Sequence, residues 1–280
     1  MKITFCGVRG STPAPGAEFI RYGGNTACVH VELADGSDIV LDAGTGIREL
    51  GKKLAGKKTP VHILLSHNHW DHIQGFPFFI PIYQPNREIL ITPGLTDLKQ
   101  PEAVLDQMTG SYFPVHKNDL AAIIKVIPRP VQEDDEWYIN NALVSRLKMN
   151  HPGGGSCYTI KENGSKIAYI TDNELYPPYR KQTDFLDFVE FATGADLLIH
   201  DAQYLVSDMP GKSGWGHSVA EEAVKLAMAC KVKQLALYSH DPERTDDDID
   251  EIIAHCNDVI DAGGMDLICF GAREGQIIEI

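Results

Sequence analysis

The sequence predicts an α/β protein in four layers, helix–sheet–sheet–helix, with two mixed β-sheets packed face to face. Three observations carry this. Short apolar, branched runs bounded by turn residues recur along the whole chain. The first half reads as strands with one helix, and the second as strands, then helices, then strands. Two similar halves, each a sheet with helices on its outer face, bury both sheets when those sheets meet. No low-complexity segment, short-period repeat or linker interrupts the 280 residues, so residues 1–280 are expected to form a single domain.

The elements follow in order. Residues 2–7 read as a first strand, and Gly7 to Pro15 as a loop rich in Gly, Ser and Pro. Strands fit Thr26–Leu33 and Ile39–Asp42, separated by the turn Ala34-Asp35-Gly36-Ser37. Ile47–Ala55 has the pattern of a short helix stopped by Gly56, and Val61–Leu65 that of a buried strand. Residues 73–150 are mixed, with a helix expected at 96–107, an aromatic loop at Tyr112-Phe113-Pro114, and a strand over Val144–Met149 that ends at His151. Cys157–Lys161 and Lys166–Ile170 flank Asn163-Gly164, a tight-turn pair, so they read as a hairpin. This explains Asn163-Gly164-Ser165 better than glycosylation does. Helices are expected over Phe185–Thr193, Val219–Cys230 and Asp246–Ala262, the last with an acidic first turn that suits its dipole. Strands fit Leu197–His200, Gln234–Tyr238, Leu267–Phe270 and Gln276–Ile280.

The formal charge is −14 and no Lys/Arg-rich run exists, which argues against a long nucleic-acid ligand, whose affinity rests on phosphate neutralisation. The six cysteines form no CxxC pair and sit mostly in apolar stretches, as core thiols of a reducing compartment do. No charged-then-apolar leader and no apolar run near about 18 residues is present, so a cytoplasmic protein with no membrane partner is expected. A homodimer is compatible with the sequence, which does not fix the oligomer.

The chemistry concentrates in His67-Asn68-His69-Trp70-Asp71-His72, directly after Val61–Leu65. Three imidazoles and a carboxylate at a rigid strand end read as a metal site, not as a His-rich surface loop. On extended backbone His67 and His69 point the same way. They can grip one ion while Asp71 and His72 reach a second position. His151, Asp172 and His240 each follow an apolar strand, and Gly153-Gly154-Gly155 lets a loop approach closely. Strand tips at one sheet edge converge on a cleft.

This order, HxHxDH and then His, Asp and His, resembles the metallo-β-lactamase superfamily of hydrolases over Asp42 to His240. The resemblance implies the αββα sandwich. It also implies that His67, His69 and His151 hold a first metal, that Asp71, His72 and His240 hold a second, and that Asp172 bridges them. Asp42, in Val40-Leu41-Asp42-Ala43-Gly44, would support the metal loop without being a ligand. Such donors suit two divalent ions, with zinc favoured and manganese or iron able to take similar sites.

Two further stretches, Leu198-Ile199-His200-Asp201-Ala202 and Trp215-Gly216-His217-Ser218, resemble motifs of the phosphodiesterase branch, similar to transfer-RNA 3′-processing enzymes and cyclic-phosphate phosphodiesterases. There the resemblance implies that His217 is a general acid or phosphate stabiliser oriented by Asp201. Asp201 stands where that branch has Glu, a shorter arm. The competing role for His217 is that of a residue preceding a helix capped by Ser218. The processing enzymes carry a long arm between the His and Asp motifs, whereas His151 and Asp172 are 21 positions apart, fully used by the hairpin. No folded transfer RNA is therefore expected.

The expected function is hydrolysis of a small anionic phosphodiester, such as a cyclic nucleotide, by hydroxide on the metal pair. Asp71, Asp201 and His217 are the expected catalytic residues. The alternative on the same dinuclear site is hydrolysis of a lactone, thioester or β-lactam. An iron redox role is disfavoured by His69, where such relatives carry Glu, and a scaffold without turnover by the complete ligand set. Arg9 reads equally as a phosphate contact or a structural ion pair, and Ser11 and Asn25 share its loops. Phe113 reads as a core anchor, with His116 beside it in a loop able to line the pocket; His30, His62 and His255 read as structural. Gly211-Lys212-Ser213 is not a phosphate loop, because Val206 stands where a glycine is required.

Overall fold

The computed structural model describes residues 1–128 and 135–280. The strands are β1 (Lys2–Gly7), β2 (Cys28–Glu32), β3 (Asp38–Leu41), β4 (Val61–Leu64), β5 (Glu88–Thr92), β6 (Ile123–Val126), β7 (Glu136–Ile139), β8 (Ala142–Lys148), β9 (Ser156–Glu162), β10 (Ser165–Ile170), β11 (Leu197–Asp201), β12 (Gln234–Tyr238), β13 (Ile268–Gly271) and β14 (Ile277–Glu279). The helices are α1 (Ile47–Leu54), α2 (Trp70–Ile73), α3 (Ala103–Asp106), α4 (Phe185–Ala192), α5 (Ala220–Cys230) and α6 (Asp246–Ala262). Among the described residues two seven-stranded sheets result, in the orders β14-β1-β2-β3-β4-β5-β6 and β13-β12-β11-β10-β9-β8-β7. Both are mixed: β3 to β6 run parallel in the first, β10 to β13 in the second, and the remaining pairs are antiparallel.

Strand alternation builds the layers. Ile3 and Phe5, Val29 and Val31, and Ile39 and Leu41 face inward and meet Val144, Tyr158, Ile160, Tyr169 and Ile199 of the other sheet. On the outer face of the first sheet, Val40, Ile63 and Ile91 pack against Ile47, Leu50 and Leu54 of α1. On the outer face of the second, Ala168, Leu198 and Leu235 pack against α4, α5 and α6 through Phe188, Val224, Ala227 and Ile260. Sheets covered on both faces explain why these strands read as near-continuous apolar runs. Each large side chain so buried contributes about 1.5–3 kcal/mol. The expected four-layer sandwich is what forms.

Three tyrosines of the second sheet donate across this core to the first. The Tyr158 hydroxyl donates to Leu65 O at 2.6 Å, that of Tyr169 to Asp42 Oδ2 at 2.8 Å, and that of Tyr238 to Gly7 O at 2.7 Å. All three receiving groups lie at the carboxyl ends of strands β1, β3 and β4.

The hairpin turns at Asn163 and Gly164, both at positive φ, as a tight turn demands. It fills the chain between His151 and Asp172 with no inserted arm. The helix expected at 96–107 is shorter: only Ala103–Asp106 is helical. Lys99 sits at φ 47°, and Pro101 disfavours helical backbone at Gln100. Ser218 does not cap α5. Its hydroxyl donates to Asn173 O at 2.6 Å, and the helix starts after Val219. The final strand crosses back to pair with β1, so the halves are not contiguous in sequence. Among the described residues no helix is long and apolar enough to cross a membrane.

Candidate metal centre

Parallel strands deliver the polar groups at their carboxyl ends, where open α/β sheets bind ligands. Asp42 follows β3 in left-handed backbone, φ 60°. Its buried carboxylate accepts from Ser66 N (2.6 Å), Ser66 Oγ (2.8 Å), the Tyr169 hydroxyl (2.8 Å) and His72 Nδ1 (2.9 Å). It therefore fixes the HxHxDH loop and turns His72 Nε2 toward the cleft. Ser66 Oγ in turn lies 3.0 Å from His67 Nδ1, leaving His67 Nε2 facing inward.

His67, His69 and His151 bring one donor atom each within 4.8 Å of one another. His69 Nδ1 lies 3.0 Å from His151 Nε2, and His151 Nδ1 donates to Gly216 O at 2.8 Å. Burial, helped by the neighbouring imidazoles, holds His67 well below its ordinary range, and burial lowers His151 to about 4. Both rings are neutral at pH 7 and present lone pairs. His67 Nε2 is buried with no hydrogen-bond partner. Such an orphan costs about 1–3 kcal/mol, and a cation placed among the three rings removes that cost. The residues fit a metal.

A second cluster joins His67, His72 and Asp172, again within 4.8 Å. His72 Nε2 lies 3.1 Å from Asp172 Oδ2 and 3.2 Å from Asp71 Oδ2. Asp71 Oδ2 accepts from Ser11 N at 2.8 Å. Burial opposes charge on His72, yet Asp172, Asp71 and Asp42 together hold it well above its usual range. Asp172 belongs to this second group and to a third with His151 and His217, and His67 belongs to both of the first two.

His240 departs from the expected set. Its Nε2 donates to Ala272 O at 3.0 Å, its ring stacks edge-on against Tyr22, and it joins none of the donor clusters among the described residues. The residue before it turns inward instead: Ser239, at φ 58°, donates from Oγ to Asp172 Oδ1 at 3.2 Å. The last strand tip leaves β12 at Tyr238, and its left-handed residue decides which of two adjacent side chains faces the cleft.

His217 Nδ1 donates to Asp201 Oδ2 at 2.6 Å, so the shorter arm of Asp reaches. Asp201 also accepts from Ser218 N (3.0 Å) and Gln203 N (3.2 Å). Burial pushes the Asp201 carboxyl up to about 6, while the His217 charge pulls it back. Against burial, Asp201 and Asp172 raise His217 to about 9. The two are an ion pair at pH 7. Glu174, which no sequence signal singled out, accepts from Gly214 N and Gly216 N and so sets the loop carrying His217. Gly216 is required: its φ is 90°, and a Cβ there would collide with His151 Nδ1.

Arg9 is structural. It is fully buried, and its guanidinium donates to Gly23 O (2.8 Å), Asp241 O (3.1 Å) and Arg244 O (2.7 Å). Asn25 bonds Glu274, and Phe113 packs edge-on against Phe78, 5.5 Å between centroids. His116 caps a turn by accepting from Asn118 N, and His30 pairs with Asp38 at 2.9 Å. The cysteines are free thiols, all but Cys6 buried. Above the clusters lies an open cleft of about 400 Å³ whose lining includes Ser11, His69, Tyr204, Lys212, Trp215 and His217. Lys212 Nζ sits 4.5 Å from the Trp215 ring centroid and 5.4 Å from that of Tyr204. It is a cation at the cleft, though not part of a phosphate loop.

Comparison with known proteins agrees with this geometry. A model of the β-lactamase superfamily domain matches residues 37–240. A ribonuclease Z of Haloarcula marismortui is 24% identical, the alignment covering 93% of this chain and 92% of that protein. The metallo-β-lactamase fold protein YhfI of Bacillus subtilis superposes with a TM-score of 0.72 at 18% identity, covering 100% of this chain and 98% of that one. A diphosphatase of the PhnP family gives a TM-score of 0.67 at 17% identity, covering 100% and 97%. The chain belongs to the β-lactamase superfamily of metallohydrolases and is similar, within it, to ribonuclease Z.

Proposed function

We propose that the protein hydrolyses a small phosphodiester, a cyclic nucleotide or another cyclic phosphate, at a two-zinc centre. When bound, the cations supply Lewis acidity and a water of lowered pKa. The chain's own residues do the rest. His67, His69 and His151 would hold one ion, and Asp71 and His72 the other, with Asp172 between them. His217, charged through Asp201, stands at the cleft and can give its Nε2 proton to the leaving oxygen. Lys212, over Trp215 and Tyr204, offers a positive charge to a phosphate, and the exposed Trp215 an apolar face for a base or aryl group.

The single observation that carries this reading is the buried His217–Asp201 ion pair beside Asp172. A leaving alkoxide needs a proton donor, and this pair keeps one charged at neutral pH. The ribonuclease Z relatives and the diphosphatase neighbour support phosphorus as the electrophile. The direct hairpin between His151 and Asp172 and the charge of −14 favour a small substrate over folded transfer RNA. The free thiols support a cytoplasmic setting.

The test is a turnover panel on zinc-loaded protein: bis-p-nitrophenyl phosphate, cyclic nucleotides, a lactone and a thioester. Phosphodiester turnover that exceeds ester turnover by at least about 100-fold in kcat/KM is expected, about 3 kcal/mol of discrimination. Preference for the lactone or thioester would establish the carboxyl-ester reading instead.

A further inference from the structure

Seven donors were expected from the sequence, yet one of them faces elsewhere. His240 is built into the scaffold. Its N–H donates to Val8 O at 2.9 Å, its carbonyl accepts from Gly10 N at 3.0 Å, and its Nε2 is spent on Ala272 O. Arg9, buried beneath the same loop, donates to Asp241 O and Arg244 O. These bonds hold the ring away from the cleft from both sides. Ser239 takes the inward position, with its hydroxyl on the bridging carboxylate Asp172 and near Gln203 Oε1 at 3.4 Å.

We infer that the two metal positions are chemically unequal, because Ser239 faces the second one where a fourth strong donor was expected, and that the second ion is the weaker and exchangeable one. The inference concerns the metal centre and does not depend on which ester is cleaved. The first position has three imidazoles, with Asp172 proposed between it and the second. The second has one imidazole, two carboxylates (Asp71 and Asp172) and a hydroxyl. A neutral hydroxyl is a poor zinc donor next to an imidazole. Fewer nitrogens and more oxygens also make the second position harder, so manganese competes there better than at the three-imidazole position.

The test is metal binding. Protein stripped with chelator is titrated with Zn²⁺ against a chromophoric zinc indicator, with stoichiometry read by native mass spectrometry. The wild type is expected to bind one ion tightly and a second at least about tenfold more weakly, a gap of about 1.4 kcal/mol. His240→Gln, which can keep the bond to Ala272, should leave both constants within about threefold. Asp71→Asn should weaken only the second. Ser239→His should tighten only the second, by about tenfold or more. Equal tight binding of two ions by the wild type overturns the inference, as does loss of the second ion in H240Q, or a folded S239H that does not tighten. Should S239H not fold, which a circular-dichroism melt reports, the wild-type and H240Q titrations decide. Absence of any bound ion would overturn the inference together with the metal-centre reading, whereas two equal ions would leave that reading standing.

Discussion

Replacing His217 with Ala separates proton donation from everything else the centre does. The leaving oxygen of an alkyl phosphodiester needs a proton, and a positioned general acid contributes about 10²–10⁴-fold. p-Nitrophenolate leaves without one. H217A should therefore slow an alkyl or cyclic diester by that factor and bis-p-nitrophenyl phosphate by less than about tenfold. Asp201→Asn tests the origin of the charge. The rise of His217 from its ordinary 6.5 to about 9 corresponds to about 3 kcal/mol of preference for imidazolium. A raised acid stays protonated below its pKa, so turnover of the alkyl diester is lost as pH climbs toward 9. Cations beside Asp172 draw that limb downward, which makes 9 its upper bound. Without the Asp201 charge the limb falls toward 6.5, and at pH 8 the rate drops by at most about 30-fold. The assay is initial rate against pH for both diesters, with zinc content measured in each variant. Equal slowing of the two diesters by H217A, or a basic limb unmoved by D201N, would refute the reasoning.

Further outcomes follow from the same geometry. Asp42→Ala leaves His72 Nδ1, Ser66 and the Tyr169 hydroxyl without their buried acceptor; a loss of about 3–5 kcal/mol in urea unfolding, with weaker zinc retention, is expected. Tyr158→Phe deletes one bond between the sheets and should cost about 0.5–1.5 kcal/mol by the same measurement, with zinc content unchanged. Gly216→Ala should displace His151 and lower zinc affinity more than thermal stability, read by indicator competition and a melt. In metal-free protein, His151 is held below its unfolded value, so its contribution to stability is present above about pH 6.5 and is lost as pH falls toward 4; a melting temperature that does not decline across that window contradicts the burial assigned to it. Saturating zinc should raise that melting temperature, by about 2.7 kcal/mol of stability at a hundred times Kd.

Much of this molecule was legible in its sequence. Alternation and branching placed the strands from Cys28 to Leu41 and from Ser156 to Ile170 within a residue or two, because both faces of each strand are buried. The HxHxDH loop was legible because residue type and spacing alone define it, and Asp201–His217 because two short motifs flank it. What was hidden depends on conformation that no residue type announces. Lys99 turns left-handed inside a stretch whose residue types suit a helix. At the end of β12, Ser239 takes φ 58° and sends its neighbour His240 outward, so a correct residue type stood one position from the site. Glu174 was invisible for another reason: its partners are backbone amides of Gly214 and Gly216, and those leave no side-chain signature.

The first two donor clusters draw on both sheets: His67, His69 and His72 come from the first, His151 and Asp172 from the second. Neither half alone supplies either of these two sets. An ion held by either full set would therefore tie the two sheets together, as a rivet through the seam, and slow separation of the halves. The same seam carries the Tyr158, Tyr169 and Tyr238 hydroxyls, so three buried hydrogen bonds already join the sheets at this edge.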